Sequence, residues 1–580
     1  MIKILNFIYS ILDKKQKTFF LYITFLSFIA MIFETFTIVS IMSVLNLFSD
    51  INTNALLNKI QTFLNIDEDS LVKIIILIAG SVFVVKTVFL IYFIKILLRF
   101  IEEVKVDQSN NLFLYYLNQP FIFHVNKNSS ELLRNLTEAP ALGLIIRTLV
   151  DFILEFIVLI GLIIFLIYLN LLITFISILI FLFFSAIFYF FINKRAQKWG
   201  IARKESAGNK LKKLQQGFAA IRDIKILNKE KFFSDSFSYS NKIESENTYN
   251  NAFFSSLPKI LFELVCILLV IIVFYYIFFE KKDIVHFLPI ISAYAFAAYR
   301  LIPSVIKILN ANQTLKYWFP VTEPYIEKSI SYKNNKNNEK IKNNNNLNEI
   351  KNVNFLKSEN NHIKFKNVNF NFKNRTNFVL KKINLEFNKN DFIGIFGESG
   401  SGKTTFVNLL LGLYQPVEGQ ILFGEKSIFQ DLKSWRKLLS FIPQNIYILD
   451  DTVIKNVAFG HENEKIDIER VKHSLKKANA YEFVNSLENK LHTNCGELGE
   501  FLSGGQRQRI AIARALYNDS KILVFDEFTN FLDSDNEKKI MNEISNLKNK
   551  TRIIVSHKKS TLNFCNKLFE IKDNTLIKKL

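Results

Sequence analysis

Glycine, proline and cysteine are all scarce in this chain. Only 18 of its 580 residues are glycine, about 3% against a usual ~7%, and 9 are proline. The three cysteines are too few for a disulfide framework, and none belongs to a CxxC pair, so we expect inert or buried thiols. A collagen-like or disulfide-rich class is therefore excluded. The few glycines become informative because twelve of them lie after residue 390.

Apolar residues are concentrated in the first half of the chain. They make up 49% of all residues, and the mean hydropathy is +0.17 in spite of a net charge of +21. A membrane helix needs about 20 predominantly apolar residues. Such runs lie at 18–48, 74–94, 152–193, 252–279 and 284–310. Because the third run is long enough for two helices, the sequence predicts six membrane spans.

Lysine and arginine are distributed unevenly among the loops between these spans. The segment 194–251 holds 13 of them, whereas the loops on the other side hold only Lys59, Lys281 and Lys282, with Lys73 at a border. Since positive loops stay in the cytoplasm, we expect both termini and the loops 95–140 and 194–251 to be cytoplasmic. The first apolar run is too long for a cleavable signal peptide.

A polar segment separates two parts of different composition. Residues 329–361 are rich in Asn, Lys and Ser, which is typical of a flexible linker, while a basic nucleic-acid arm is the weaker alternative because aromatic residues are few. Short β-branched runs then alternate with helical ones, as in an α/β domain. We therefore predict a membrane domain at 1–325, a linker at 326–361 and an α/β domain at 362–580.

The α/β domain begins with a phosphate-binding motif. Residues 392–396 predict a strand, 397–404 read Gly-Glu-Ser-Gly-Ser-Gly-Lys-Thr, and an apolar helix follows, which is the GxxxxGK[ST] loop in its required setting. Glycines let backbone N–H groups converge on phosphate oxygens at the helix amino terminus. Lys403 should reach the β- and γ-phosphates, and Thr404 should bind Mg²⁺. The expected nucleotide-binding residues of this loop are Gly397, Ser399, Gly400, Gly402, Lys403, Thr404 and Thr405.

Two acidic residues end a second motif. Residues 522–527 read Ile-Leu-Val-Phe-Asp-Glu, which predicts a buried parallel strand. Asp526 suits the Mg²⁺ shell, and Glu527 would lie near the γ-phosphate as a base or as the group that orients water. Such a pair is a weak signal alone and a strong one after a phosphate loop. The sequence therefore predicts hydrolysis of Mg²⁺-bound ATP.

Residues 502–506 read Leu-Ser-Gly-Gly-Gln and precede a helix. Here the sequence resembles the ATP-binding cassette (ABC) transporters, of which LSGGQ is the signature. The resemblance implies two cassettes packed head to tail, so that Ser503, Gly504 and Gly505, with Gln506 beside them, close on the γ-phosphate held by the other copy. Because one cassette completes no site, it also implies a homodimer with two equivalent ATP sites.

Further positions match the same family residue by residue. Gln444 resembles the Q-loop glutamine, which senses Mg²⁺ and touches the membrane domain, and His557 resembles the switch histidine that contacts the γ-phosphate. Asp533 resembles the D-loop aspartate that communicates across the dimer, and Glu497 resembles the glutamate that meets the cytoplasmic loops in exporters. The resemblance implies Glu527, His557 and Gln444 as catalytic residues, and Thr404, Gln444 and Asp526 around Mg²⁺.

The sequence departs from the family pattern at two places. Phe372 occupies the position of the tyrosine that stacks on adenine, and stacking needs only the ring. After Glu527 the chain reads Phe-Thr-Asn-Phe-Leu-Asp where the family usually has Ala-Thr-Ser-Ala-Leu-Asp. The bulky Phe528 and Phe531 leave the acids intact and bear on the packing of the D-loop.

Six spans followed by one cassette resemble the half-transporter layout of ABC exporters. The implied fold is an all-α membrane domain followed by an α/β P-loop domain with a helical subdomain. The segments 119–121 and 131–133 resemble the first coupling loop of exporters, and 215–233 resembles the second. The resemblance implies a multi-pass protein of the bacterial inner membrane whose ATP-binding domain is cytoplasmic.

Three basic residues, Lys86, Lys259 and Arg300, fall within predicted spans. Ionisable residues inside a membrane are costly and therefore suggest function. If they face one cavity, they form a cationic belt suited to a diphosphate group. Alternatively, they pair with Glu34, Asp151, Glu155 or Glu263, or they lie where the helices project into the cytoplasm.

The first external loop carries apolar residues at helical spacing over 54–64, which predicts an amphipathic helix. That helix, the basic positions and the run 298–304 resemble the flippases of lipid-linked oligosaccharides in bacterial protein N-glycosylation. The resemblance implies ATP-driven movement of a polyprenyl-diphosphate-linked oligosaccharide or a related anionic glycolipid across the inner membrane. A general lipid or multidrug exporter with the same ATPase stays open as the alternative.

Nucleic acid is not an expected partner. Cassette ATPases that act on DNA lack membrane spans and insert a long coiled coil between the phosphate loop and the signature. Only 99 residues separate Lys403 from Ser503 here. A non-hydrolysing regulator or an ATP-gated channel is disfavoured as well, because Glu527 and His557 are both present.

Overall fold

The computed structural model describes residues 2–45, 68–169, 171–279, 284–331, 362–372 and 378–579 of the chain. The chain divides into two compact units. The first comprises Met1–Gln119 and Phe123–Lys342, and the second comprises Pro120–Ile122 and Asn343–Leu580. The division lies inside the segment 326–361 that was expected to link two domains, while the exact domain boundaries stay a prediction.

The first unit is built from helices. They are α1 (Ile2–Ile11), α2 (Lys14–Leu45), α3 (Glu68–Leu117), α4 (Phe121–Asn126), α5 (Ser129–Thr137), α6 (Ala139–Leu169), α7 (Leu171–Ala219), α8 (Ile221–Leu227), α9 (Glu230–Phe279) and α10 (Ile284–Trp318), followed by a 3₁₀ turn at Phe319–Thr322. α3 and α9 have 50 residues each and α7 has 49. At 1.5 Å per residue such helices are about 75 Å long, more than twice a ~30 Å hydrocarbon layer. They therefore extend well beyond any membrane they cross.

Four stretches within the described residues are long and apolar enough to cross a membrane. They are Lys14–Thr37, Lys73–Leu117, Ser129–Ile167 and Thr174–Ala219, and they correspond to the first four predicted spans. Helices α9 and α10 run through the fifth and sixth predicted spans. The count of six spans stays a prediction, and the amphipathic helix expected at 54–64 lies outside the described residues.

Large apolar side chains cover the outer surfaces of the long helices. Leu77 on α3 and Phe190 on α7 are 72% and 77% exposed, as expected for helices surrounded by lipid rather than water. One internal core joins α1, α2, α3 and α6 around residues such as Val104 and Ile145. A smaller one joins α7, α9 and α10 around Phe262.

The second unit alternates strands and helices. Its strands are β1 (Ile363–Phe370), β2 (Leu380–Phe387), β3 (Phe392–Gly397), β4 (Glu418–Phe423), β5 (Lys426–Ser427), β6 (Leu439–Ile442), β7 (Ile522–Asp526), β8 (Thr551–Val555), β9 (Lys567–Lys572) and β10 (Thr575–Lys578). Its helices are α11 (Lys403–Leu410), α12 (Leu432–Lys437), α13 (Val453–Val457), α14 (Ile468–Lys477), α15 (Tyr481–Ser486), α16 (Gly504–Tyr517), α17 (Ser534–Asn546) and α18 (Lys559–Leu562). This α/β domain with an inserted group of helices is the fold expected from the sequence.

Two sheets form this domain. One has the order β2-β1-β4-β5 and is antiparallel; the other has the order β10-β9-β3-β8-β7-β6 and is parallel except for β10. Pairs such as Ile393 with Ile553 and Asp526 with Val555 fix the register. Because β3, β8 and β7 are neighbours, the three loops that follow them meet at one edge of the sheet, where α/β proteins bind ligands.

Two buried clusters hold this arrangement in place. The first lies between the sheets and contains Phe365, Phe406 and Trp435. The second joins β7 to α13, α14 and α16, with Ile510 and Phe525 fully buried. Strand β7, which leads into the two acids, and α16, which follows the signature, therefore belong to one packed body.

Candidate ATP site

The phosphate loop connects β3 to α11. β3 ends at Gly397, and α11 begins at Lys403. Gly402 has φ 103° and Gly400 has φ 83°, a backbone region that residues with side chains rarely adopt. A Cβ atom on Gly402 would also lie 3.0 Å from Leu380 Cδ2. The backbone conformation of the loop therefore favours glycine at both positions. The missing side chains also leave space for phosphate groups.

Several polar groups of the loop are hydrogen-bond donors. Lys403 Nζ donates hydrogen bonds of 2.9 Å to the carbonyl oxygens of Gly397 and Glu398. The hydroxyl of Ser401 is buried and has no hydrogen-bond partner within the described part of the chain. Thr404 is exposed in the first turn of α11, where backbone N–H groups lack helical acceptors. Such a cluster of donors fits an anionic phosphate chain.

The two acids lie at the end of β7. Asp526 is 4% exposed, and Glu527 follows it with φ 47° and donates its N–H to Val555 O at 2.9 Å. Burial, with a smaller contribution from the neighbouring Glu527, raises the pKa of Asp526 to about 6, while Lys403 opposes the shift. A strained backbone at Glu527 is typical of a functional position, because packing must hold it there.

Three motif side chains surround the Glu527 carboxylate. Gln444 donates from Nε2 to Oε2 at 2.7 Å, Asn530 donates from Nδ2 to the same oxygen at 3.2 Å, and His557 Nδ1 lies 3.6 Å from Oε1. The Q-loop, the acidic pair and the switch histidine, separate in sequence, are therefore brought together. Asn530 was missed by the sequence analysis, although its place three residues after Glu527 in a turn was available as a signal.

The signature residues form the start of α16. Ser503 caps the helix by accepting the N–H of Gln506 at 3.2 Å, and Gln506 Oε1 accepts the N–H of Ser503 at 2.8 Å. This reciprocal capping box fixes the entry to the helix. A Cβ atom on Gly504 would lie 3.4 Å from Phe531, and one on Gly505 would lie 3.1 Å from its carbonyl oxygen. The segment after Glu527 therefore lies directly over the signature glycines.

The two unusual phenylalanines take different places. Phe528 is buried, with its ring 4.7 Å from that of Phe525 in the core. Phe531 is 64% exposed beside the signature, and its N–H donates to Gln508 Oε1 at 3.2 Å. Asp533 caps α17 by accepting the N–H of Asn536 at 3.2 Å. Local contacts therefore fix the D-loop around both rings.

The remaining predicted residues of the domain are on its surface. Phe372 is half-buried and packs edge-on against Phe370 and Tyr414, with ring centroids 5.2 and 5.7 Å apart. The side chain of Glu497 is exposed at a short turn ahead of the signature. Pro120–Ile122, from the predicted first coupling loop, are grouped with this second unit.

The described donors fit Mg²⁺. This hard cation takes carboxylate and hydroxyl oxygens and is held partly by the substrate's phosphates. Asp526 supplies a buried carboxylate whose ionised form a cation would stabilise. Thr404 and Gln444 supply side-chain oxygens. Within the described residues no group of three or more His, Cys, Asp and Glu is placed to hold a metal, so an all-protein metal cage is not found there.

Two of the three predicted substrate cations, Lys86 and Lys259, have described side chains, and the cationic belt stays a prediction. Lys86 Nζ lies 2.9 Å from Glu34 Oε2 in a largely buried ion pair between α3 and α2, one of the pairings left open by the sequence. Lys259 is exposed on α9, and the side chain of Arg300 lies outside the described side chains. The structure adds a pair that was missed, because Lys307 Nζ lies 2.6 Å from the buried carboxylate of Glu155.

Two family models match the chain. The model of the ABC transporter transmembrane region matches residues 20–283, and that of the ABC transporter matches residues 380–530. An ATP-dependent lipid A-core flippase of Francisella tularensis subsp. holarctica (strain OSU18) is 42% identical over 178 residues, which cover 30% of this chain and 29% of that protein. The protein of the same name from Escherichia coli (strain K12) is 36% identical over 189 residues, 32% of each chain.

These matches cover about a third or less of the curated relatives' length. A structure of a bacterial Atm1-family ABC exporter with ATP bound superposes over 97% of this chain and 95% of that one, with a TM-score of 0.74 and 18% identity. This likeness establishes the fold. The chain therefore has the architecture of an ABC exporter, with a helical transmembrane region followed by an ABC transporter domain.

Proposed function

We propose that this protein is an ATP-driven exporter that moves an anionic glycolipid across the bacterial inner membrane. The observation that carries the proposal is the meeting of Gln444, His557 and Glu527 beside a phosphate loop, in a chain whose other half has helices long and apolar enough to cross a membrane. Glu527 orients or deprotonates the attacking water. Gln444 and His557 hold the Glu527 carboxylate, and His557 contacts the γ-phosphate. Mg²⁺, held through Thr404, Gln444 and Asp526, would neutralise charge on the phosphates.

The working unit in this proposal is a homodimer. Ser503 and the two glycines after it lie at a helix amino terminus whose N–H groups suit an anion, and each chain carries one such signature and one phosphate loop. Head-to-tail packing of two copies would give two equivalent sites. ATP binding closes the cassettes and hydrolysis reopens them, and only a difference in substrate affinity between the two states can move the lipid.

The proposed substrate class rests on two supports. The curated relatives are named lipid A-core flippases, which supports a lipid with an anionic head group. The basic residues Lys86, Lys259 and Arg300 support a diphosphate, as in a polyprenyl-diphosphate-linked oligosaccharide. Because Glu34 already neutralises Lys86, we expect Lys259 and Arg300 to contribute more to substrate binding than Lys86 does.

Liposomes that contain the purified protein and one labelled lipid test this proposal. The lipids are lipid A with its core sugars, a polyprenyl-diphosphate oligosaccharide and a neutral glycolipid. We expect ATP-dependent movement of an anionic lipid between leaflets, lost in Glu527→Gln and reduced in Lys259→Ala and Arg300→Ala. Movement of the neutral lipid alone, or of unrelated drugs, would favour the general lipid or multidrug exporter instead. Hydrolysis without movement of any lipid would contradict the proposal.

A further inference from the structure

A buried carboxylate contacts the segment that follows His557. Glu537, in the first turn of α17, is 7% exposed. Its Oε1 accepts hydrogen bonds of 2.9 Å from the hydroxyls of Ser560 and Thr561, and its Oε2 accepts one of 3.1 Å from Lys558 Nζ. Three donors on one buried carboxylate leave it little freedom to move. α17 follows the D-loop, so this side chain ties the D-loop helix to the segment after His557.

Lys558 connects this carboxylate to the catalytic segment. Its Nζ also donates to the carbonyl oxygen of Thr529 at 2.9 Å, two residues after Glu527. Its backbone N–H donates to Ser556 Oγ at 3.1 Å. One side chain therefore begins at the residue after His557 and ends on the backbone two residues after Glu527. It connects the two loops that carry the histidine and the acid.

We propose that Lys558 and Glu537 are positioning residues that set the separation between the His557 imidazole and the Glu527 carboxylate. The pair contacts neither the imidazole nor the Glu527 carboxylate. Lys558 holds the segment after His557 against the Thr529 carbonyl oxygen, and Glu537 neutralises and orients the Lys558 ammonium group. The present separation is 3.6 Å between His557 Nδ1 and Glu527 Oε1. The inference deepens the proposed function, because it rests on ATP hydrolysis at this site.

A control pair with similar exposure lies elsewhere in the same domain. Lys567 and Asp391 form an ion pair of 2.7 Å with side chains 27% and 12% exposed, against 29% and 9% for Lys558 and Glu537. Asp391 precedes β3 and therefore lies at the opposite end of that strand from the phosphate loop. Removing this pair deletes a partly buried ion pair, as K558M/E537Q does, without changing the net charge of the domain or touching the loops of the site.

The experiment compares full-length K558M, K558R, E537Q, K558M/E537Q and K567M/D391N proteins in lipid nanodiscs. ATP turnover gives kcat and KM, and thermal unfolding gives Tm. We expect K558M to lower kcat about tenfold, because small misplacement of catalytic groups is costly, while KM for ATP changes less than about twofold. K558R should restore most of kcat, since arginine can reach the same two acceptors.

The double variant separates positioning from stability. K558M/E537Q contains no unpaired buried charge, so its Tm should recover while its kcat stays low. Recovery of kcat along with Tm, or a loss in K567M/D391N as large as in K558M, would overturn the inference. If K558M does not fold, E537Q and the double variant decide by the same criteria. A wild-type protein without ATP turnover would instead refute the proposed function.

Discussion

In the ATP-binding domain, side chains from three separate sequence segments meet at one edge of a parallel sheet, whereas in the membrane domain the buried carboxylates of Glu34 and Glu155 pair with lysines of neighbouring helices. Gln444, Asn530 and His557 surround Glu527, while Lys86 pairs with Glu34 and Lys307 with Glu155. We interpret the first arrangement as one that holds charges for a ligand, whereas the second neutralises charges within the protein. Charge in a long apolar helix is therefore weaker evidence of a ligand site than charge at a strand end.

The physical reason for the difference is the surroundings of the charges. At the sheet edge the backbone N–H groups of a glycine loop and of a helix amino terminus favour binding of an anion, and water can reach the site. Between membrane helices an unpaired charge costs on the order of several kcal/mol, so pairing it with a residue of the next helix lowers the free energy of the folded protein. The predictions that follow alter each kind of charge and one aromatic contact, and they run from the largest expected effect to the smallest.

Replacing Glu527 by Gln should have the largest effect. Loss of the group that acts on water should lower ATP turnover by about 10² to 10⁴-fold, while ATP binding is retained because the phosphate loop is unchanged. Steady-state phosphate release and binding of a fluorescent ATP analogue measure the two quantities. Glu543→Gln, an exposed position of α17, serves as the matched control. Turnover in Glu527→Gln within about tenfold of wild type would remove Glu527 from its catalytic role.

Replacing Lys86 by Met tests the pairing in the membrane domain. Glu34 would be left without Lys86 in a largely buried place, so we expect the free energy of unfolding to fall by about 2–3 kcal/mol. The double variant Lys86→Met/Glu34→Gln should recover most of that loss. Thermal unfolding in detergent measures both. An unchanged Tm together with a loss of glycolipid-stimulated ATP turnover would place Lys86 with the substrate instead.

Replacing Phe372 by Ala tests the adenine contact. Stacking of a base on an aromatic ring contributes about 1–3 kcal/mol, so KM for ATP should rise roughly tenfold with little change in kcat. Phe372→Tyr should behave as wild type, because it keeps the ring. Phe459→Ala removes an exposed ring elsewhere in the domain and is the control. An equal KM for Phe372→Ala and wild type would contradict the assignment.

The smallest effect concerns the pH dependence of stability. Burial opposes ionisation of Glu537, yet hydrogen bonds from Ser560, Thr561 and Lys558 outweigh it and hold the pKa of Glu537 below its usual range. A carboxyl with a lowered pKa stabilises the folded state above its unfolded pKa of about 4.3 and loses this contribution as the pH falls through its folded pKa. The Tm advantage of wild type over Glu537→Gln should therefore be constant near neutral pH and shrink in acid. An advantage that grows in acid would contradict the lowered pKa.

The ATP-binding domain could be predicted from the sequence because its chemistry is coded locally. Gly400 and Gly402 have positive φ values that few other residues adopt, and Ser503 and Gln506 cap a helix within four residues. Asn530 and Lys558 were not predicted, since their contacts depend on how two strands place their loops. The partner of Lys86 stayed open because it depends on the relative rotation of α2 and α3, which no local pattern encodes.

The most direct test records ATP hydrolysis and lipid movement together in the same sealed liposomes. We predict that movement of an anionic glycolipid begins when ATP is added, follows the rate of hydrolysis across ATP concentrations, and stops with hydrolysis in the Glu527→Gln protein. Lipid movement that is equally fast without ATP, or that continues in Glu527→Gln, would contradict the central claim that hydrolysis at the described site drives export.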